Sequence, residues 1–361
     1  MPVASNFQRK GRGALSNPEG RFEKRHRENF NDGWGQLEPE ELPPLETMVS
    51  PEPARSIISR NQSPDIPFSQ SINPYRGCEH GCVYCYARPS HAYLNLSPGL
   101  DFETKLFYKD HAAELLEKEL RKPGCRCQPI ALGANTDPYQ PIERKLEITR
   151  RLLVMMQRFR HPVIIITKST LVTRDLDILA DMAKLGLVSV MVSVTTLDDG
   201  LNRALEPRTP NARSRLRIMH DLAKTDIPVG VLAAPMIPMV NDADLEHILK
   251  LAAEAGACCA GYVLLRLPHE LKDLFHEWLE QYMPDRAKHV MSLIRQARGD
   301  KDYAAEFGTR MRGTGEYAEM MAQRFNRACK KFQLSLDRQA RLTCSKFRGP
   351  CDNPQLDLLA L

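Results

Sequence analysis

The sequence predicts an α/β fold, a partial six-stranded parallel (β/α)6 barrel with a helical C-terminal extension. Three observations carry this reading. From Ile72 onward, short apolar runs alternate regularly with amphipathic helical segments. Several of the runs are apolar throughout, as strands covered on both faces are. Polar side chains recur just after several runs, as they do at the carboxyl ends of barrel strands, which favours a curved sheet over a flat one.

Taken in order, residues 1–60 mix Gly, Pro, Asn and charge with little apolar periodicity. Arg9, Lys10, Arg12, Arg21, Lys24, Arg25 and Arg27 come first and QLEPEELPPLE follows, so a mostly disordered tail is expected, basic and then Glu/Pro-rich. Residues 61–268 should form the barrel. Its strands are expected at Ser71–Tyr75, Pro129–Ala134, Val163–Thr167, Val188–Val194, Val229–Ala233 and Gly261–Leu265. Helical periods lie between them, at Asp110–Arg121, Leu146–Phe159, Leu176–Lys184, Pro210–Lys224 and Asp242–Ala255. Thr209 with Pro210 reads as an N-cap and first-turn pair, and Gly256 suits the left-handed position after a last turn. The polar residues after the strands are Asn135, Thr136 and Asp137; Lys168 and Ser169; Ser193, Thr195 and Thr196; and Arg266. In a barrel they would line one mouth.

Residues 269–348 change to helices without strands, near Glu270–Tyr282, Asp285–Ala297 and Glu316–Phe332, and 349–361 form a C-terminal tail. From Pro284 to Arg348 there are fifteen Lys and Arg against seven Asp and Glu, an excess larger than the net +5 of the whole chain. Tyr303, Phe307, Tyr317, Phe325, Phe332 and Phe347 are interleaved with these cations, a composition suited to phosphate contacts and base stacking. The alternative is a helical cap with a solvated basic face.

Apolar residues make up 42% of the 361, enough for one large core or two modest ones. The longest apolar runs are strand-length, far short of the roughly 20 residues a membrane helix needs. No charged-then-apolar leader opens the sequence, so a cytoplasmic protein with reduced thiols is expected.

The chemistry centres on SINPYRGCEHGCVYCYAR, where Cys78, Cys82 and Cys85 stand in a C-x3-C-x2-C spacing. Gly77 and Gly81 precede the first two, allowing turns that point successive sulfurs inward. Three thiolates are one short of the set that closes a structural site. On a four-iron cube they would leave one iron open to bind and activate a small molecule. A Cys3His zinc site using His80 or His91, in a non-catalytic nucleic-acid-binding protein, is the alternative.

The triplet, with Tyr84 before its third cysteine, resembles the signature of the radical S-adenosylmethionine (SAM) superfamily. The segments NPYRGCEHGCVYCYARP, TDPYQPIE, ITKS and EPRTPN resemble its spore photoproduct lyase-like (DNA-repair photolyase-like) branch. This resemblance implies a [4Fe–4S] cluster on Cys78, Cys82 and Cys85 and SAM bound at the open iron. It also implies reductive cleavage to a 5′-deoxyadenosyl radical, with an external electron donor such as flavodoxin or ferredoxin. Asn135, Thr136 and Asp137 fall where the superfamily meets the cofactor's ammonium. Ser193, Glu206 and Arg208 fall where it meets ribose and carboxylate. Asp137 reads equally as a helix cap, and Arg208 as a surface ion pair. The implied substrate is DNA or another nucleic acid, with a protein or small molecule as the alternative. The hydrogen-returning cysteine of the lyase has no counterpart here, since Asn135 and Thr136 precede Asp137 and the nearest thiols, Cys125 and Cys127, lie before the strand.

Cys258 and Cys259 read as buried small apolar residues. Cys329, Cys344 and Cys351 could hold a second cluster, but their irregular spacing favours structural or free thiols. Gln355-Leu356-Asp357-Leu358-Leu359 resembles the short peptide that bacterial repair proteins dock into a sliding clamp, with Leu359 in place of the usual aromatic. A terminus folded back on the barrel is the alternative.

Overall fold

The computed structural model describes residues 11–23, 45–339 and 341–349. Cys351 and the clamp-like Gln355–Leu359 lie outside the described residues. The strands, in chain order, are β1 (Met48–Pro51), β2 (Ile58–Arg60), β3 (Gln70–Ile72), β4 (Tyr75–Arg76), β5 (Lys105–Tyr108), β6 (Ile130–Leu132), β7 (Val163–Thr167), β8 (Val188–Ser193), β9 (Val229–Met236) and β10 (Cys259–Leu264). The main sheet has the order β10-β9-β8-β7-β6-β3-β2. Every pair in it is parallel except β2 with β3. From β6 to β10 neighbours in the sheet are neighbours in the chain, so the order never reverses as it does in a doubly wound sheet. The order has two ends, and no closed barrel forms among the described residues.

The helices are α1 (Asp101–Thr104), α2 (Ala112–Leu120), α3 (Glu143–Leu146), α4 (Ile148–Arg158), α5 (Leu176–Lys184), α6 (Asp199–Leu205), α7 (Ala212–Lys224), α8 (Leu245–Glu254), α9 (Leu271–Tyr282), α10 (Pro284–Gln296) and α11 (Gly315–Lys331). Each long crossover helix buries one stripe: Leu245, Ile248, Leu249 and Ala252 on α8 show the i, i+3, i+4, i+7 period. All six residues of β8 are buried, which explains why its sequence does not alternate. Among the described residues no helix is long and apolar enough to cross a membrane.

Two expected element ends shift for local reasons. The first expected strand, Ser71–Tyr75, breaks at Pro74, which has no N–H to give a ladder, and Tyr75–Arg76 instead joins a small β1-β5-β4 sheet. The cap expected at Thr209 falls to Asn211, whose side chain accepts from Ser214 N at 3.1 Å, while the Thr209 hydroxyl donates to Glu206. Gly256 does follow α8 with a φ of +94°.

The described parts of residues 1–60 are packed, in contrast to the tail their composition suggests. β1 pairs with β5 and β2 with β3. Arg12 is buried, donating to Glu103 O at 2.9 Å and Leu45 O at 2.6 Å. A Cβ on Gly13 would stand 1.8 Å from Gly81 O, so only glycine lets this arm lie against the cysteine loop. Burial here works through backbone hydrogen bonds, which leave no apolar period in the sequence.

The C-terminal helices are likewise part of the body. Phe275, Trp278, Leu279 and Ile294 share a core with Val83 and Tyr84 of the cysteine loop, and Trp278 Nε1 donates to Ala204 O at 3.0 Å. Phe325 of α11 belongs to the main core.

Behind the cysteine loop lies a fully buried ion pair, Arg88–Glu103. Arg88 also donates to Cys82 O (2.9 Å), Gly81 O (3.1 Å), Pro98 O (3.2 Å) and Gly99 O (2.9 Å). Glu103 accepts from Gly13 N (3.0 Å) and Ala14 N (2.8 Å). Removing one charge leaves the other buried and unpaired, so Glu103→Gln is expected to destabilise by about 3–5 kcal/mol in urea unfolding. Arg121→Ala removes an exposed pair with Glu117 and a contact over the Phe159 ring, and should cost about 1 kcal/mol. Equal effects of the two would contradict this reading.

Candidate active site

Cys78, Cys82 and Cys85 lie in turns after β3 and β4, shaped by the backbone. Gly77 and Gly81 have φ of +75° and +66°, the left-handed region that a Cβ disfavours. A Cβ on Gly77 would also meet Leu106 Cδ2 at 2.6 Å and Phe102 O at 2.8 Å. Gln140 clamps the loop, accepting from Glu79 N at 2.9 Å and donating to Gly77 O at 3.2 Å.

The three cysteines border one cavity of about 240 Å³ at the carboxyl ends of the parallel strands. Burial pushes the Cys78 and Cys82 thiols well up, with Asp137 adding to the shift of Cys78 and Glu206 to that of Cys82. Thiols so placed are protonated at pH 7 and poor free nucleophiles. Burial lowers His80 to about 4, so its ring is neutral at pH 7 and turns Nδ1 toward Asp137 at 3.4 Å. His91 lies outside the cavity, against Lys105 O at 3.0 Å and edge-on to Phe102. His80 lines the cavity with the three cysteines, and His91 does not.

The expected cofactor residues divide into two groups. Asn135, Asp137 and Ser193 are in the cavity wall. Asp137 accepts from the Thr167 hydroxyl (2.7 Å), Tyr139 N (2.9 Å) and Lys168 N (2.7 Å), so it ties the ends of β6 and β7 together. Thr136, Glu206 and Arg208 are outside the wall. Thr136 donates to Tyr75 O at 3.0 Å. Glu206 is fully buried and accepts from Tyr84, Thr195 (2.6 Å), Thr209 (3.0 Å) and Arg215. With a cation and three hydroxyls around it, this carboxylate is saturated and reaches the cavity only through Tyr84. Arg208 bonds Glu79 at 3.1 Å and Gly11 O at 3.1 Å, bracing the cysteine loop against the N-terminal arm.

Lys168, expected only as a rim residue, has its Nζ in the cavity 5.8 Å over the Tyr84 ring, and among the described residues no carboxylate pairs with it. Arg266 lies 5.2 Å over Tyr86 and donates to Tyr303 at 3.2 Å, while its Nε is buried without a partner. Arg215 escaped notice altogether. It is fully buried on the stripe of α7 that carries Ala212, Ile218, Met219 and Leu222, and a cation on an apolar stripe was the available signal.

Some cations of Pro284–Arg348 are paired within the protein, while most, among them Lys288, Arg327, Lys330 and Arg341, are exposed. Arg324 pairs with Glu246, Arg295 with Asp302 and Arg310 with Asp65. Arg298 donates to four backbone carbonyls. Among the aromatics Phe325 is buried, Tyr317 donates to Asp242 and Phe347 packs on His161. Arg266 and Arg338 line the cavity, and Tyr303 is bonded to Arg266 at its edge.

The family model described as Radical SAM superfamily matches residues 72–252, from β3 into α8. The chain belongs to the radical SAM superfamily and is an enzyme of that class. It is similar to an uncharacterized protein of Mycobacterium tuberculosis, 36% identical over 233 residues that cover 64% of this chain and 68% of the relative. It is also similar to one of Methanocaldococcus jannaschii, 27% identical over 214 residues, 59% of this chain and 76% of the relative. Its fold is similar to that of spore photoproduct lyase complexed with dinucleoside spore photoproduct, with a TM-score of 0.57 at 15% identity over 79% of each chain. A mutant of that enzyme with bound AdoMet and the same dinucleoside matches at 0.57 and 15%, over 79% of this chain and 78% of that one.

Gly77→Ala meets both left-handed strain and backbone contact, so it should lower the iron bound after anaerobic reconstitution as well as stability. Gly299 has a φ of +63° with nothing within 4 Å, and Gly299→Ala should cost only about 1 kcal/mol and leave iron unchanged. Equal iron content in the two variants would show that the loop geometry does not govern assembly.

Proposed function

We propose that the chain holds a [4Fe–4S] cluster on Cys78, Cys82 and Cys85 within a six-stranded partial barrel, cleaves SAM reductively, and abstracts hydrogen from a nucleic-acid substrate at the mouth. The observation that carries this reading is the single cavity that gathers the three thiols with Lys168 and Ser193 at the strand ends. Cluster and SAM, when bound, supply a 5′-deoxyadenosyl radical at the expense of one electron from an external donor such as flavodoxin or ferredoxin.

The chain's own residues position and confine that chemistry. Lys168 presents an uncommitted ammonium to the SAM carboxylate. Asn135 and Asp137 face the ammonium end; Asp137 already has its hydrogen-bond partners and contributes chiefly its charge. Ser193 faces the ribose. Thr136, Glu206 and Arg208, expected as direct contacts, serve instead as the frame that holds Tyr75, Tyr84 and Glu79. Apolar walls such as Phe68, Leu232 and Met311 exclude water from the radical.

A nucleic acid is favoured by the Arg266 guanidinium set over the aromatic faces of Tyr86 and Tyr303. The spore photoproduct lyase structure, with its bound dinucleoside, offers a precedent on a similar fold. Among the described residues no cysteine beyond the three ligand candidates borders the cavity, so hydrogen return from a cavity thiol is not part of the proposal. The pairing of Arg324, Arg295 and Arg310 with carboxylates removes part of that basic face and makes a small-molecule or protein substrate the second reading.

Lys168→Met should weaken SAM binding at least tenfold while leaving the cluster's visible absorbance intact; unchanged affinity would remove Lys168 from the carboxylate site. Anaerobic turnover with damaged and undamaged DNA should yield 5′-deoxyadenosine and an altered nucleotide. The deoxyadenosine yield should be higher with DNA present and should respond steeply to salt. A yield indifferent to DNA at low ionic strength would transfer the proposal to the second reading.

A further inference from the structure

Arg338 enters the cavity wall from the C-terminal segment rather than from a strand of the main sheet. After α11 the chain turns back along β10, where Ser335 N donates to Cys258 O at 3.0 Å and Ala260 N to Ser335 O at 2.9 Å. The Ser189 hydroxyl of β8 then donates to Arg338 O at 3.4 Å, and Leu342 packs with Met191, Leu232 and Cys259. Backbone bonds and one leucine therefore hold the segment in place. The Arg338 guanidinium is not used for that purpose: among the described residues it makes no hydrogen bond and no ion pair.

Room for that guanidinium is built into β10. A Cβ on Gly261, inside the strand, would meet Leu232 Cδ2 at 2.9 Å and Arg338 Nη1 at 3.3 Å, so glycine here lets the arginine lie against the sheet. Arg266 follows the end of the same strand, with its Nε buried and unpartnered. The charged side chains of the cavity wall are thus Lys168, Arg266 and Arg338 against Asp137 alone. Asp137 is engaged at the ends of β6 and β7, and Asp337, next to Arg338 in the chain, is exposed and accepts from Gln339 N at 2.8 Å. With Lys168 given to the SAM carboxylate, the two arginines on the β10 side are left for the substrate.

We propose that Arg338, together with Arg266, forms a phosphate subsite on the β10 side of the cavity. A guanidinium is a planar fork of donors that matches phosphate oxygens and keeps its charge when buried. Two such forks with no carboxylate of their own suit a group that carries more than one anionic oxygen. The Tyr86 and Tyr303 rings beneath Arg266 offer stacking faces to a base attached to that phosphate. The phosphate belongs either to a free nucleotide or to the backbone of a nucleic acid, and the chemistry that recognises it is the same. The C-terminal extension then supplies a substrate-binding cation as well as packing. This inference rests on the proposed function only in taking the cavity as the substrate site.

The test titrates thymidine, thymidine 5′-monophosphate and the dinucleotide thymidylyl-thymidine into the reconstituted full chain saturated with SAM. A phosphate-bearing ligand should bind about tenfold tighter than thymidine, and Arg338→Gln should abolish that preference. Arg341→Gln removes an exposed charge from the same segment and should keep it. A tighter dinucleotide identifies the phosphate as that of a nucleic-acid backbone, and a tighter monophosphate as that of a free nucleotide. In the unaltered protein, inorganic phosphate should shield Arg338, and not Arg341, from phenylglyoxal as read by peptide mass spectrometry, a result that stands even if the variant fails to fold. No phosphate preference in the unaltered protein, a preference that survives Arg338→Gln, absent shielding, or a loss of SAM affinity in Arg338→Gln would each overturn the subsite. Binding is read rather than turnover, so the subsite stands or falls separately from DNA-stimulated cleavage of SAM.

Discussion

The buried pair of Arg88 and Glu103 is the constraint on which the site depends. A loop that turns three sulfurs toward one cavity must leave backbone carbonyls and amides facing the other way, into the protein, where each needs a partner. The guanidinium fork meets the carbonyls of Gly81, Cys82, Pro98 and Gly99, and the carboxylate meets the amides of Gly13 and Ala14. Desolvating both charges is costly, and only this full set of hydrogen bonds offsets it. Lysine would not serve, because a point charge cannot reach carbonyls in several directions of one plane.

Glu206 and Arg215 repeat the device on the opposite side of the cavity. Arg215 takes Ser193 O at 2.9 Å and Pro210 O at 2.8 Å, while Glu206 gathers Tyr84, Thr195 and Thr209. The cysteine loop is thus held from behind by one buried pair and joined through Tyr84 to the end of β8 by another. The cavity between them carries Lys168, Arg266 and Arg338 on its wall, and among the described residues no carboxylate pairs with Lys168.

The parallel strands and crossover helices were legible because packing against both faces of a sheet, or along one face of a helix, leaves apolar runs and periods in the sequence. The cysteine loop was legible because few chemistries need three thiols at that spacing behind glycines. Residues 11–23 were not, since Gly13 and Ala14 are held by their backbone amides and Arg12 by its guanidinium on backbone carbonyls, none of which leaves an apolar period. Glu206 and Arg208 were legible as polar residues in a suggestive place, but a sequence does not say toward which side of a strand end a carboxylate turns. The same limit applies to part of the basic C-terminal region, where Arg324, Arg295 and Arg310 have Glu246, Asp302 and Asp65 beside them while most of the other cations are exposed.

The most direct measurement on the central claim is the electron paramagnetic resonance spectrum of the reconstituted, chemically reduced protein, recorded with and without SAM. A cluster held by Cys78, Cys82 and Cys85 with one iron open should give the spin-half signal of a reduced [4Fe–4S] centre, and SAM should shift its g values by binding that iron. No cluster signal, or a signal indifferent to saturating SAM, would contradict the account.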